Sequence, residues 1–184
     1  MGCGATRMPL LDLYINEATP PLRYIRELPA KLPVSFPANG LIKKDGETLF
    51  DDKELIKQCQ AVHIDGLKVY YGALILGLEV KYRLDQAGQV RKHCISLSAA
   101  HESIELDNRE SIVRIEAQVS PTGLHSLVVE SSSGRVMKVK GSDPGTDTVK
   151  LDFRGEGRAI VGFKGCFGET LTALGCYTWK IRGR

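Results

Sequence analysis

The sequence predicts an all-β fold from three observations: period-two alternation of apolar and polar side chains, turn signals between those runs, and almost no helical stripe. The alternation is clearest where Val113, Ile115, Ala117 and Val119 are interleaved with Arg114, Glu116 and Gln118. It recurs in Leu78, Val80, Tyr82 and Leu84 against Glu79, Lys81, Arg83 and Asp85, in Val149 to Phe153, and in Tyr177, Trp179 and Ile181. Successive side chains of a strand point to opposite faces, so each run reads as a strand with one face on a core.

Taken in order, the chain divides near position 45, with residues 1–45 an N-terminal extension and residues 46–184 one folded domain. Six of the eight prolines (Pro9, Pro20, Pro21, Pro29, Pro33, Pro37) fall in the extension. They restrict it to extended conformers, and its many apolar residues make it unlike a solvated tail. Two readings stay open: the extension covers a sheet edge of its own domain, or it docks on a protein partner. Leu22, Tyr24, Ile25 and Leu28, an apolar cluster between Pro21 and Pro29, are the candidate anchors.

Within the domain, the one stretch with helical character, Asp52 to Cys59, reads equally as a loop. Asp51 and Asp52 are expected to serve a turn or a cap rather than paired acid–base chemistry. Turns are placed at Ala87-Gly88, Thr122-Gly123, Ser133-Gly134, Pro144-Gly145 and Glu156-Gly157.

Composition narrows the function. The 25 basic and 22 acidic side chains are scattered and give a net charge of +3. With no basic stripe, nucleic acid is not an expected partner. The longest apolar run, Leu74 to Leu76 between Gly72 and Gly77, is too short to cross a bilayer. The first residues lack the apolar core of a secretory signal, so a cytoplasmic location is expected, with cytoskeletal or membrane association as variants. Met1-Gly2-Cys3 with Thr6 fits N-myristoylation of Gly2 beside a palmitoylation site at Cys3; the alternative is a plain terminus with Met1 retained. Membrane attachment is expected only if both are acylated.

No catalytic group stands out. The four histidines lack metal-ligand spacing, and no P-loop, nucleophile elbow or dinucleotide fingerprint occurs. His125 and Ser126 are adjacent on a strand and point to opposite faces. The five cysteines show no CxxC pair and are read as thiols. Cys166 and Cys176 flank a hairpin centred near Gly168 and Glu169, so Cys166 should face Thr172 or Ala173, out of register for a disulfide. No cofactor and no metal is expected.

Several stretches, in order, resemble one known family. Near the C-terminus, Ala159-Ile160-Val161-Gly162-Phe163-Lys164-Gly165, then Gly168-Glu169-Thr170-Leu171 and Leu174-Gly175-Cys176-Tyr177, is similar to the closing hairpin of the jacalin-related lectins. Leu67 to Gly72 and Leu78 to Tyr82 resemble that family's first Greek key, and His125 to Ser132 its R-S-L strand. Gly46 to Asp52, with Phe50-Asp51-Asp52, is similar to its N-terminal G-x-x-F-D-D.

The resemblance implies a β-prism I fold of three four-stranded antiparallel Greek-key sheets, and a non-enzymatic module that binds carbohydrate through three loops at one end. Carried over residue by residue, the loops are Asp45-Gly46-Glu47, Ser120-Pro121-Thr122-Gly123 and Gly168-Glu169-Thr170-Leu171-Thr172. The sugar-contact positions are then Gly46, Thr122, Gly123, Gly168, Glu169, Thr170 and Thr172. Thr172 stands where the family has an aspartate, a neutral hydroxyl in place of a charged acceptor. Glu169 is not expected to replace it. Two functional expectations result: a lectin with a degenerate sugar site, or an intracellular structural or scaffold protein of cytoskeletal type that uses the prism and the extension for protein contacts.

Overall fold

The computed structural model describes residues 45–85, 87–95 and 98–181, with the backbone of residues 24–25 and 35–36. Its elements in chain order are β1 (Tyr24–Ile25), β2 (Ser35–Phe36), β3 (Thr48–Asp51), α1 (Lys53–Lys57), β4 (Val62–Tyr71) and β5 (Ile75–Leu84). There follow β6 (Ala87–His93), β7 (Ala100–Glu105), β8 (Ile112–Ser120), β9 (Gly123–Ser131) and β10 (Val136–Lys140). The last three are β11 (Asp147–Asp152), β12 (Arg158–Phe167) and β13 (Leu171–Ile181).

The strands form three faces, antiparallel in every pairing among the described residues. The first is four-stranded, in the order β6-β5-β4-β7. The second is β11-β8-β9-β10. The third sets β3 and β13 on either side of β12, and its fourth position, beyond β13, is filled by the two short pieces β1 and β2. A single pairing, Ile160 with Ile112, fastens the third face to the second, so those nine strands share one hydrogen-bonded network. Leu67 and Val80 of the first face, Ile115 and Leu127 of the second, and Phe163 and Leu174 of the third meet in one buried cluster.

Alternation explains most of this packing. In β8, Ile115, Ala117 and Val119 are buried while Arg114, Glu116 and Gln118 are only partly covered. Arg114 spans Glu116 and Glu130 at 2.5 and 2.8 Å, and Arg154 adds Glu130 and Asp152, an ion-pair network along the outside of the second face. Two glycines of β12 are dictated by close approach. A Cβ on Gly165 would come within 2.2 Å of Ala173 O and 2.7 Å of the Phe50 ring; one on Gly162 would meet Ile56 Cδ1 at 2.2 Å.

One local expectation changes, one open reading is resolved and one is refined. The β5–β6 turn begins at Asp85, earlier than Ala87-Gly88, which belongs to β6. Asp85 takes the left-handed region, φ 54°, which Asp tolerates better than most residues, and its carboxylate accepts the Gln60 and Ala61 amides at 3.0 and 2.9 Å. The Asp52–Cys59 stretch is a helix over Lys53–Lys57. Asp52 occupies its N-cap position without a side-chain cap bond. Only 3 % exposed, it instead accepts the Tyr82 hydroxyl at 2.6 Å and the Phe163 amide at 3.3 Å, with His93 Nε2 3.2 Å from its other oxygen. It ties the helix to the first and third faces.

The backbone of Tyr24 and Ile25 pairs with Ile181 and Lys180, and that of Ser35 and Phe36 with Gly175 and Leu174. These four residues lie along β13 of their own domain. Leu22 and Leu28, like Gly2 and Cys3, lie outside the described residues.

Candidate functional site

The three turns singled out by the sequence meet at one end of the prism. A Cβ on Gly123, in the β8–β9 turn, would lie 3.1 Å from Leu171 O and 3.4 Å from Thr170 Oγ1 of the β12–β13 turn. A Cβ on Gly168 would in turn lie 3.8 Å from Gly46 O and 3.7 Å from Glu47 Cγ. Gly123, at φ 143°, and Gly46, at φ 83°, adopt backbone that favours glycine. Gly46, Thr122 and Glu169 are exposed, Gly168, Thr170 and Thr172 partly so, and Gly123 is buried where the turns touch. All seven sequence-predicted contact positions thus belong to one cluster of turns.

The loop between β10 and β11 closes the same end. Asp143 N donates to Ala73 O at 3.3 Å, which holds the loop against the β4–β5 turn, and Asp143 O lies 3.1 Å from His125 Nδ1. On its other side the His125 ring meets Ser120 Oγ at 2.6 Å, and Ser120 Oγ meets Thr122 Oγ1 at 2.7 Å. The chain Asp143–His125–Ser120–Thr122 was not apparent from adjacency in the sequence, which pairs His125 with Ser126. A slip in the β8–β9 register between Gln118 and Val119 accompanies this arrangement. Thr172 Oγ1 donates to Cys166 O at 3.2 Å, the carbonyl being the acceptor.

At the opposite end, a cleft of about 700 Å³ lies between the β7–β8 loop and the β9–β10 turn. Its central carboxylate, Glu110, is buried and engaged by Arg135, Ser131 and Ser133 and by the Asp107 amide. That network holds two loops together and occupies the Glu110 carboxylate.

The remaining histidines have structural partners. His63 lies 2.9 Å from Asp65 and 2.8 Å from Glu110 O, and burial pushes its pKa down against the pull of Asp65. His93 stacks on Phe50, and His101 tilts against Tyr70. No group of three or more His, Cys, Asp or Glu side chains among the described residues is arranged to hold a metal. Cys166 pairs with Ala173 and Cys176 with Phe163, so the two thiols are out of register, as the turn position implies. Neither is joined in a disulfide and both are buried; burial pushes the Cys176 thiol up to about 12.

The model of the jacalin-like lectin domain matches residues 41–177. The chain belongs to the jacalin-like lectin domain family. Among solved structures, the artocarpin–mannotriose complex matches this jacalin-like domain at a TM-score of 0.62 and 23% identity, covering 80% of this chain and 98% of artocarpin. Malaysian banana lectin gives 0.62 at 18% identity, covering 78% and 95%. The prostate-specific WGA16 glycoprotein lectin gives 0.58 at 19%, covering 78% and 99%. At these identities the structural likeness shows the shared β-prism fold alone. No curated protein matches the chain.

Proposed function

We propose that this jacalin-like domain is a non-enzymatic glycan-binding module whose contact end is built from Gly46, Thr122, Gly123, Gly168, Glu169, Thr170 and Thr172. The observation that carries the reading is the convergence of the three turns through Gly123, Leu171, Gly168 and Gly46. Artocarpin, of the same fold, is seen in complex with mannotriose, and family membership supports the same ligand class here.

The site is weakened toward simple sugars. The family position for an ionised acceptor holds Thr172, whose hydrogen is committed to Cys166 O. Losing a hydrogen bond to a charged acceptor costs about 1.5–3 kcal/mol, roughly ten- to hundredfold in affinity. Titration calorimetry with methyl α-mannoside and methyl α-galactoside is therefore expected to show no micromolar binding, while an array of larger glycans retains the protein. Micromolar binding of one monosaccharide, abolished by Thr172→Ala, would contradict the degenerate-site reading. An empty array would contradict glycan binding and leave the scaffold reading, in which the prism and the extension contact protein.

A further inference from the structure

The hydrogen positions in the Asp143–His125–Ser120–Thr122 chain follow from which atoms can only accept. Asp143 O is a carbonyl, so His125 Nδ1 carries the hydrogen that bridges their 3.1 Å separation. In the neutral imidazole, Nε2 is then a bare lone pair and Ser120 Oγ, 2.6 Å away, must donate to it. Ser120 has spent its one hydrogen. The 2.7 Å contact with Thr122 Oγ1 therefore requires Thr122 to donate, and the Thr122 amide donates to the same Ser120 oxygen at 3.2 Å. The Thr122 hydroxyl, on an exposed turn residue, is left with lone pairs alone.

Thr172 reaches the same state independently, since its hydrogen goes to Cys166 O. Two turn amides of the kind that bind anions are also spent, Thr122 N on Ser120 and Gly168 N on Thr170 O at 3.0 Å. The charged side chains within the three turns, 45–47, 120–123 and 168–172, are Asp45, Glu47 and Glu169, all acidic.

We infer that the Ser120–His125 pair is a positioning device that fixes Thr122 as a hydrogen-bond acceptor, and that this end selects glycans by the hydroxyl or amino hydrogens they donate while rejecting sulfated, sialylated or phosphorylated ones. The inference rests on the glycan-binding reading for its ligand, but not for the hydrogen arrangement. Ser120 and His125 act through Thr122. Their effect is on discrimination between anionic and uncharged ligands rather than on the fold.

The test has two arms at pH 8, above the ordinary imidazole range. In the ligand-free arm, ¹⁵N-resolved NMR of the His125 ring is expected to show hydrogen on Nδ1 and a bare Nε2. In the ligand arm, the intact protein is applied to an array of neutral oligosaccharides, de-N-acetylated hexosamine oligomers, and sulfated and sialylated counterparts. Neutral and amino glycans are expected to be retained at least tenfold better than the anionic ones. Thr122→Val should lower that retention at least tenfold without moving the unfolding midpoint, and Thr122→Ser should restore it. Ser120→Ala, which frees the Thr122 hydrogen, should raise the ratio of anionic to neutral retention.

Hydrogen on His125 Nε2 would overturn the positioning device whatever the array shows. Strong retention of sulfated or sialylated glycans, lost in Thr122→Val, would overturn the selectivity. An array that retains nothing, with the NMR arm as expected, removes the ligand half along with the glycan-binding reading and leaves the hydrogen arrangement standing.

Discussion

Replacing Asp52 with alanine should be among the most damaging single polar changes in this domain. Its side chain accepts the Tyr82 hydroxyl at 2.6 Å and the Phe163 amide at 3.3 Å. Tyr82 is 1 % exposed and Phe163 fully buried, so no water replaces the lost acceptor. Burial and the neighbouring carboxylate hold the Tyr82 hydroxyl well above its ordinary pKa, which keeps it a donor. Each unsatisfied buried donor costs about 1–3 kcal/mol. Release of a buried carboxylate offsets part of that, so Asp52→Ala should destabilise by about 2–4 kcal/mol. At about 3–4 °C per kcal/mol for a domain of this size, Tm falls by roughly 6–16 °C. Tyr82→Phe removes one partner without creating an unpaired hydroxyl and should cost less, about 1–2 kcal/mol. Urea unfolding of both single variants and the double variant closes the cycle, with a coupling energy of about 1.5–3 kcal/mol expected for a hydrogen bond to a charged group. A loss under about 0.5 kcal/mol for Asp52→Ala, or strict additivity with Tyr82→Phe, would refute the reasoning.

Other expectations follow from the same packing. Gly165→Ala drives a methyl against Ala173 O and the Phe50 ring and should cost about 1–3 kcal/mol or more, whereas Gly88→Ala, with nothing near its Cβ, should leave the urea midpoint almost unchanged. Hydrogen bonds from Arg114 to Glu130 and from Arg154 to Asp152 hold both carboxylates below their ordinary pKa. Stability from these pairs is complete above the ordinary values of 4.5 and 3.8 and is lost as pH falls through the lowered ones. Wild type should therefore exceed Arg154→Ala in urea midpoint at pH 6, with the gap closing on acidification; a gap that widens would contradict the ion-pair account. Cys176, buried and with its thiol pushed up to about 12, should resist Ellman's reagent in the native protein and react once unfolded, and dithiothreitol should leave Tm unchanged. Reaction at the native rate of an exposed thiol would show that β13 opens.

The strands were legible because alternation reports directly on which face meets a core. Val113 to Val119 foretold β8, and Leu78 to Leu84 foretold most of β5, since those side chains alternate without interruption. The turn cluster was legible through short glycine-bearing segments placed by family resemblance. Buried polar groups were not. Asp52 looks like an ordinary cap residue in sequence, and its burial depends on Tyr82 and Phe163, 30 and 111 positions away. The Ser120–His125 contact was hidden because strict alternation ignores the β8–β9 register slip. The one available signal was a serine and a histidine five positions apart across a tight turn. Asp85 shows a related limit: the glycine at 88 drew the turn forward, while the left-handed position fell on a residue whose carboxylate caps the amides of Gln60 and Ala61.

The central claim, that a glycan is held where the three turns meet, is tested most directly by an amide NMR titration of the intact protein with the oligosaccharide best retained on the array. The account predicts shift changes concentrated in residues 45–47, 120–123 and 168–172. Changes centred instead on Arg109, Glu110 and Arg135, at the cleft on the opposite end, would contradict it.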